Sequence, residues 1–530
     1  MNPSVDQMTS IWREVLAPAQ VGPHSDFFAS GGSSLSASRI VARVAREFGH
    51  PVRVRTVLAH PSPAKLTAAL GRADAVDTGG ATAAESTDLD LPFEGAVPLS
   101  SQQAAIWFME CLNPAGRGYN CVTTVRVPER LDPQRLRAAL QSVVDNNEAL
   151  RTSFPISEGQ PVQIVVEQAE AELRVRGRIS ADALRAEVLE LSETPFDVSS
   201  LPLIFWVLYD DPDSDGSVLA QVEHHFVHDG WSTWLILHQV AEAYRGEESA
   251  PVSSEVSYRA FTTRQQRWLG GTEATTQRTY WAQQLTGEFD QAWFQNDAQR
   301  PAIFSHHGAT IRTDLSQASA ARVSSAVSSL GVTAFSILYS VFGILIGKET
   351  TADDLVIGTS YRNRRPEFEQ TVGMFVNTLG LRFPHWQERT FRQVAREAAE
   401  LLADGHDHQE IPLADVVREL GMRPLLTRNP LFQVCMSMND RPEQHLDFGD
   451  AGETFQVDFT AGGAKFDLDI VVVPPNDQRP WSLMWRYYSD VLSRQEVEGL
   501  IAAFERVLEL CVDSPDTAIG ELLVHADAVV

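Results

Sequence analysis

Residues 73–90 form a run of Ala, Asp, Thr, Gly, Glu and Ser with almost no large apolar side chain. Such a stretch cannot bury enough surface to offset the entropy of ordering it, so it reads as a linker. The chain must therefore fold as separate units on either side. Before the break, helical spacing of apolar residues predicts helices over 5–16, 34–48 and 63–70 and a shorter one around 52–58, with Leu35, Ile40, Val41 and Val44 available for a core. After Leu91 the pattern becomes strands alternating with helices. Strands are expected at 123–127, 163–166, 217–223, 355–357 and 467–473. Helices are expected at 102–112, 133–146, 258–269, 276–285, 318–329, 335–347, 391–404 and 494–511. Roughly 430 residues exceed what one core normally serves, so two lobes are expected, joined near Gly270-Gly271. The fold class is α+β: a four-helix unit over 1–72, a linker over 73–95, and lobes over 96–270 and 271–525.

Charge narrows the partners. A net charge of −27 argues against nucleic acid or an anionic membrane surface. The apolar stretch 335–346 is too short to span a bilayer and is followed by Gly347-Lys348. The N-terminus is polar and acidic rather than signal-like, so a cytoplasmic location is expected. Cys111, Cys121, Cys435 and Cys511 lack metal-type spacing. They read as reduced core thiols, with no metal site expected.

The sharpest chemical signal is His224-His225-Phe226-Val227-His228-Asp229-Gly230. The residues before it, 217–223, suit a strand, Asp229-Gly230 is a turn signal, and 232–244 carry helical spacing. The histidines thus sit where a strand runs into a helix N-terminus. An imidazole there can accept a proton near neutral pH, and the helix start offers N–H groups to developing negative charge.

A second signal is Asp26-Phe27-Phe28-Ala29-Ser30-Gly31-Gly32-Ser33-Ser34-Leu35, ahead of the second expected helix. Two glycines let the backbone bring a serine hydroxyl to an exposed helix N-terminus, where a phosphodiester would be favoured. Taken alone, the run also fits an N-cap serine after a Gly-Gly turn. Its surroundings follow the pattern D-x-F-F-x-x-G-G-x-S-L, and residues 4–72 resemble the peptidyl carrier domain of nonribosomal peptide synthetases. The resemblance implies 4′-phosphopantetheine attached covalently at Ser34.

From Pro98 onward the chain resembles the condensation domain of the same synthetases. Pro98-Leu99-Ser100 with Gln103 and Trp107, then 146–154 (NNEALRTSF), Pro195-Phe196-Asp197, Pro202-Leu203 and the histidine string follow that family's order. So do Ile357-Gly358-Thr359, Asn363-Arg364, 373–379 (GMFVNTL), His408-Gln409 with Pro412, 430–434 (PLFQV) and 465–468 (KFDL). The resemblance implies two chloramphenicol-acetyltransferase-like lobes in a V, with a tunnel between them. It also implies an acyltransferase that forms nonribosomal peptide bonds: the amine of an acceptor aminoacyl-carrier attacks a carrier-bound donor thioester. An α-ammonium near ~8 and an imidazole near ~6.5 make that exchange feasible.

By the same resemblance His225 is the catalytic base or positioning group, Gly230 admits substrate and offers its N–H to an oxyanion, and His224 is a packed support. Asp229 holds the loop by an ion pair with Arg364. The pair His306-His307 lacks a downstream Asp-Gly and is assigned no chemistry. Expected partners are the chain's own carrier as donor, an acceptor carrier downstream or in trans, a phosphopantetheinyl transferase and adenylation domains elsewhere. An epimerisation-type domain and a non-catalytic docking platform are the alternatives. Three sites depart from the family pattern: Ala105 and Phe205, where arginine is usual, and the pair Asn146-Asn147 in place of Arg-His. Lost arginines are expected to remove bulk and charge near the tunnel walls.

Overall fold

The computed structural model describes residues 3–73 and 96–527, apart from 18, 33, 50–51, 114–115, 248–252, 291, 293, 295–299, 384, 423–424, 440–444, 455–456, 462 and 477–478. The linker expected over 73–95 lies outside the described residues except for Ala73. So do Ser33 and the side chains of Ser34 and Leu35.

Among the described residues the N-terminal unit has four helices, Val5–Val15, Ser34–Phe48, Val54–Ala59 and Pro63–Ala73. Ser4 and Gln7 form a reciprocal capping box at the first. Met8, Ile11, Trp12, Phe27, Ile40 and Val57 fill the core. Ahead of the second helix, the Asp26 carboxylate accepts from the N–H groups of Phe28 (2.9 Å) and Ala29 (3.1 Å) and turns the chain. Gly31 follows at φ +79°, and a Cβ on Gly32 would lie 2.5 Å from the Phe27 ring. Both glycines are required if Phe27 is to stay in the core while the chain enters the helix at Ser34.

The first lobe carries a five-stranded sheet in the order Val457–Ala461, Asn120–Val127, Ser217–His224, Ile204–Asp210, Leu173–Val175. Helices Pro133–Asn146 and Gly230–Arg245 bury Leu136, Leu140, Ile236 and Val240 in its main core. Helix Ala181–Ser192 packs Leu184 on the opposite face, against Val122, Phe205 and Val222. The second lobe carries six strands, ordered Asn377–Arg382, Val356–Tyr361, Val434–Met438, Leu468–Val473, Ser482–Tyr488, Gly308–Asp314. Its central helix Ala334–Thr350 is buried from Phe335 to Gly347, the pattern of a core helix rather than a surface one. Among the described residues no single helix is long and apolar enough to cross a membrane.

The expected division at residue 270 is crossed. Strand Val457–Ala461 pairs with Asn120–Val127 from Val457↔Val125 to Ala461↔Cys121. Leu446, Phe448, Ala451, Phe368 and Phe375 lie in the first lobe's core. The second half of the chain thus supplies an edge strand that would otherwise leave backbone groups of Asn120–Val127 unpaired. The N-terminal unit also rests on the second lobe. Ala403 of helix Phe391–Asp407 joins its core, the Val54 N–H faces Asp407 Oδ1 at 3.4 Å, and Arg39 lies 3.9 Å from Glu369.

Candidate active site between the lobes

Strand alternation sorts the histidines. Residues two apart on a strand share a face, and His225, the first residue past strand Ser217–His224, stays on the Glu223 side while His224 turns the other way. A cavity of about 820 Å³ between the lobes is lined by Glu223, His225 and His228 from the first lobe and by Arg362, Lys465 and Met484 from the second. The backbone holds both histidines in place: the His224 N–H donates to Leu203 O (3.0 Å) and the His225 N–H to Tyr119 O (2.9 Å). His224 is buried and stacks on Phe226 at 5.3 Å, with Nε2 3.5 Å from Glu110.

Asp229 caps helix Gly230–Arg245. Its Oδ1 accepts from the Ser232 N–H and hydroxyl, both 2.9 Å, and from Arg364 Nη2, also 2.9 Å. Its Oδ2 accepts from the N–H groups of Phe375 (3.0 Å) and Val376 (3.3 Å). Burial alone would raise this carboxyl, but Arg364 and the N–H donors hold it below the ordinary carboxylate range. Arg364 also donates to Ser232 Oγ (2.7 Å), Phe368 O (3.1 Å) and Thr371 O, and its guanidinium lies 3.9 Å over the Phe375 ring. One carboxylate thus fastens the start of the first-lobe helix to the segment 364–376, where the two halves of the chain meet.

The tautomer of His225 follows from its partner. Nδ1 lies 3.2 Å from the His228 carbonyl oxygen, which can only accept. Nδ1 therefore carries the proton and the Nε2 lone pair is free. Burial, then the nearby Lys465 ammonium, pushes the His225 pKa well below its usual value, so the ring is neutral at physiological pH. Its partial exposure is to the cavity between the lobes. Lys465 is itself pushed down to about 8 by burial, 5.5 Å over the Tyr119 ring. Glu223 is pushed up to about 8 by burial and is largely neutral at pH 7. It accepts from Thr233 Oγ1 (2.8 Å) and from Gln221 Nε2 (3.0 Å). The site therefore presents a neutral imidazole with a free lone pair beside a helix N-terminus, in a cavity lined by both lobes. That arrangement suits holding an amine while negative charge grows on an oxygen nearby.

Comparison with known proteins agrees with this chemistry. The family model for the condensation domain matches residues 93–528, and that for the phosphopantetheine attachment site matches residues 6–70. The chain belongs to the condensation-domain family. It is 30% identical over 529 residues to one of the linear gramicidin synthase proteins of Brevibacillus parabrevis, covering 97% of this chain and 10% of that one. Surfactin synthase subunit 2 of Bacillus subtilis (strain 168) is 27% identical over 520 residues, covering 98% and 14%. The chain thus spans roughly a tenth of the length of these relatives. In fold it is similar to the X-domain from teicoplanin biosynthesis (TM-score 0.71, 24% identity, covering 81% of this chain and 98% of that one). It is likewise similar to the first condensation domain of the calcium-dependent antibiotic synthetase (0.69, 19%, 81% and 98%). It is a condensation domain of the kind found in nonribosomal peptide synthetases, preceded by a carrier domain whose family bears 4′-phosphopantetheine on a serine.

The remaining sequence-derived positions fall in different places around the condensation site. Gly230 lines the cavity, and a Cβ there would meet nothing within 4 Å, so a side chain would project into open space. Among the described residues the cavity lining does not include His224. Ala105 is a wall residue, whereas Asn147 and Phe205 are not. Asn147 is buried, donating to Val143 O (2.7 Å) and Gln239 Oε1 (2.6 Å), and Phe205 packs under helix Ala181–Ser192 on the far face of the sheet. The expectation that all three departures reshape the tunnel is corrected: only Ala105 does. Alternation explains the error for Phe205, which is even-spaced from Val207 and Tyr209 on the helix-covered face. His306 is structural, its Nδ1 2.9 Å from Ala464 O. Cys121, Glu223, His228 and Lys465 also line the cavity, although the motifs assign them no role. Strand alternation alone would have placed Glu223 on the His225 face, but Cys121 arrives only through its register opposite Glu223.

Proposed function

We propose that this carrier–condensation didomain joins a donor acyl group held on Ser34 to an acceptor amine in the cavity between its lobes. The amine nitrogen attacks the thioester carbonyl, the C–N bond forms, the C–S bond breaks, and the pantetheine thiol leaves with a proton. His225 Nε2 accepts a hydrogen bond or proton from the attacking amine. The start of helix Gly230–Arg245 faces the carbonyl oxygen, with Gly230 leaving room for it. Asp229 and Arg364 are positioning residues, and His224 supports the strand end from behind. The carrying observation is the neutral His225 with its free Nε2 in the cavity wall.

The donor reading rests on how the carrier sits. Arg39 is five residues after Ser34, under two helical turns, and meets Glu369. The Glu369 carbonyl accepts from Trp231 Nε1 at 2.8 Å, and Arg362 bridges Glu369 (3.7 Å) and the Trp231 ring (4.5 Å). Trp231 and Arg362 both line the cavity. The helix that begins at Ser34 therefore abuts the cavity rim, and a tethered arm meets the site at high effective concentration. The partners that follow are an acceptor aminoacyl-carrier, a phosphopantetheinyl transferase and adenylation domains elsewhere, in a cytoplasmic setting. The proposed units remain 1–72, 73–95, 96–270 and 271–525, with 368–375, 446–451 and 457–461 contributing to the first lobe.

The test loads Ser34 with a peptidyl-pantetheine, adds a carrier-bound aminoacyl acceptor, and follows products by mass spectrometry for wild type and His225→Ala. Amide product that falls sharply in the variant supports the proposal. No product across a panel of acceptors despite full loading overturns it, and inversion of the loaded residue without bond formation would assign epimerisation instead.

A further inference from the structure

Three ligand atoms converge on the cavity wall. Cys121 Sγ and ring nitrogens of His225 and His228 all lie within 4.8 Å of one another. They come from one strand and one turn: Cys121 from Asn120–Val127, directly opposite Glu223, and His225 and His228 from the turn that follows strand Ser217–His224. The two imidazoles stack at 4.7 Å with 20° between their planes.

Each histidine is already oriented through its other nitrogen. His225 Nδ1–H points at the His228 carbonyl. His228 Nδ1 lies 3.0 Å from Thr233 Oγ1, which itself donates to Glu223, and 3.3 Å from the Glu223 carboxyl. This is the arrangement that holds metal-binding imidazoles: one nitrogen tied to a carbonyl or carboxyl, the other presented to the ion. His228 Nε2 is buried with no hydrogen-bond partner among the described residues, an orphaned acceptor that normally costs stability. A cation gives it a partner.

We propose that Cys121, His225 and His228 form a binding site for a borderline-soft divalent cation of the zinc class. Two imidazoles and one thiolate match that class better than an oxygen-seeking cation. With bonds of about 2.1 Å to nitrogen and about 2.3 Å to sulfur, a tetrahedral ion draws its ligands to within roughly 3.3–3.8 Å of each other. Reaching those separations from within 4.8 Å requires the two stacked rings to turn out of parallel until both in-plane lone pairs meet at the ion. Binding exchanges the Cys121 thiol proton, released to solvent, for the ion, and a water completes the tetrahedron on the cavity side.

The ion occupies His225 Nε2, so metal and acceptor amine exclude one another. That consequence, unlike the site itself, rests on the role proposed for His225: zinc acts as a reversible brake on condensation.

The experiment titrates the chelator-treated full chain with Co2+ and records the visible d–d bands and the near-ultraviolet thiolate-to-cobalt band. One equivalent should bind with both signals and be displaced by Zn2+. Cys121→Ser should lose the thiolate band, and His228→Gln should weaken binding by about 10-fold or more; circular dichroism verifies that each is folded. If Cys121→Ser does not fold, His228→Gln decides alone. A wild-type chain without the thiolate band, or a Cys121→Ser variant that keeps it, overturns the site. Zn2+ at saturating occupancy should suppress amide formation and EDTA should restore it. Undiminished condensation with the site full would overturn the exclusion of the amine. Cobalt binding without His225-dependent condensation would instead refute the catalytic reading and leave the site standing.

Discussion

Asp229→Ala should destabilise the condensation domain far more than His225→Ala, although the two residues are four apart. The Asp229 carboxylate is 2% exposed and Arg364 is 0% exposed. Deleting the carboxylate strands the guanidinium charge away from water, which typically costs about 3–5 kcal/mol. It also removes the cap on the Ser232 N–H, worth about 1 kcal/mol, and the acceptor for the Phe375 and Val376 N–H groups. These terms overlap because one side chain serves them all, so a loss of about 4–5 kcal/mol is expected. His225 faces the cavity and its ring nitrogen makes one bond at 3.2 Å, so truncation should cost about 1 kcal/mol or less. The assay is urea unfolding followed by circular dichroism and tryptophan fluorescence, with a double-mutant cycle. Asp229→Ala with Arg364→Met should lose about 1–3 kcal/mol less than the sum of the singles, because the stranded charge is gone. Equal midpoints for Asp229→Ala and His225→Ala, or strict additivity in the cycle, would refute the argument that this ion pair fastens the two halves of the chain.

Two further outcomes test other parts of the molecule. Ser34→Ala should abolish the mass gain produced by coenzyme A and a phosphopantetheinyl transferase; an undiminished gain would remove Ser34 as the attachment point. Burial pushes the Glu223 carboxyl up to about 8 from 4.5, so the fold favours its neutral form. That contribution is complete below the unfolded value and is lost as pH rises through about 8. Wild type should therefore lose a few kcal/mol between pH 5 and 8 that Glu223→Gln retains, read as melting temperature against pH. Parallel profiles for the two proteins would show that Glu223 is ionised in the fold.

Local signals carried much of the architecture. Pro133 at the first helical position behind the Asp132 cap marks the helix Pro133–Asn146, and Ser257 does the same for Tyr258–Leu269; both ranges are legible residue by residue. Strand Ile204–Asp210 is not legible because its run of apolar residues is buried throughout. A strand with apolar residues on both faces shows no alternation to detect. Val457–Ala461 is unreadable for a different cause: it is a strand by pairing with residues more than three hundred positions earlier, and such pairing leaves no local trace.

The same boundary runs through the site. Neighbouring residues suffice to lead the strand before His225 through a turn to a capped helix, and to make a Gly-Gly turn deliver Ser34 to another helix start, because caps, turns and period-two alternation act over a few residues. Long-range packing was needed to set Cys121 against His225 and His228, and to bring Lys465 near enough to help keep the imidazole neutral. It also held Asn147 away from the cavity against Gln239 while leaving Ala105 in its wall. Those outcomes depend on sheet register and on how two lobes meet. Both are set by the sum of many long-range contacts, and no short window of residues encodes that sum.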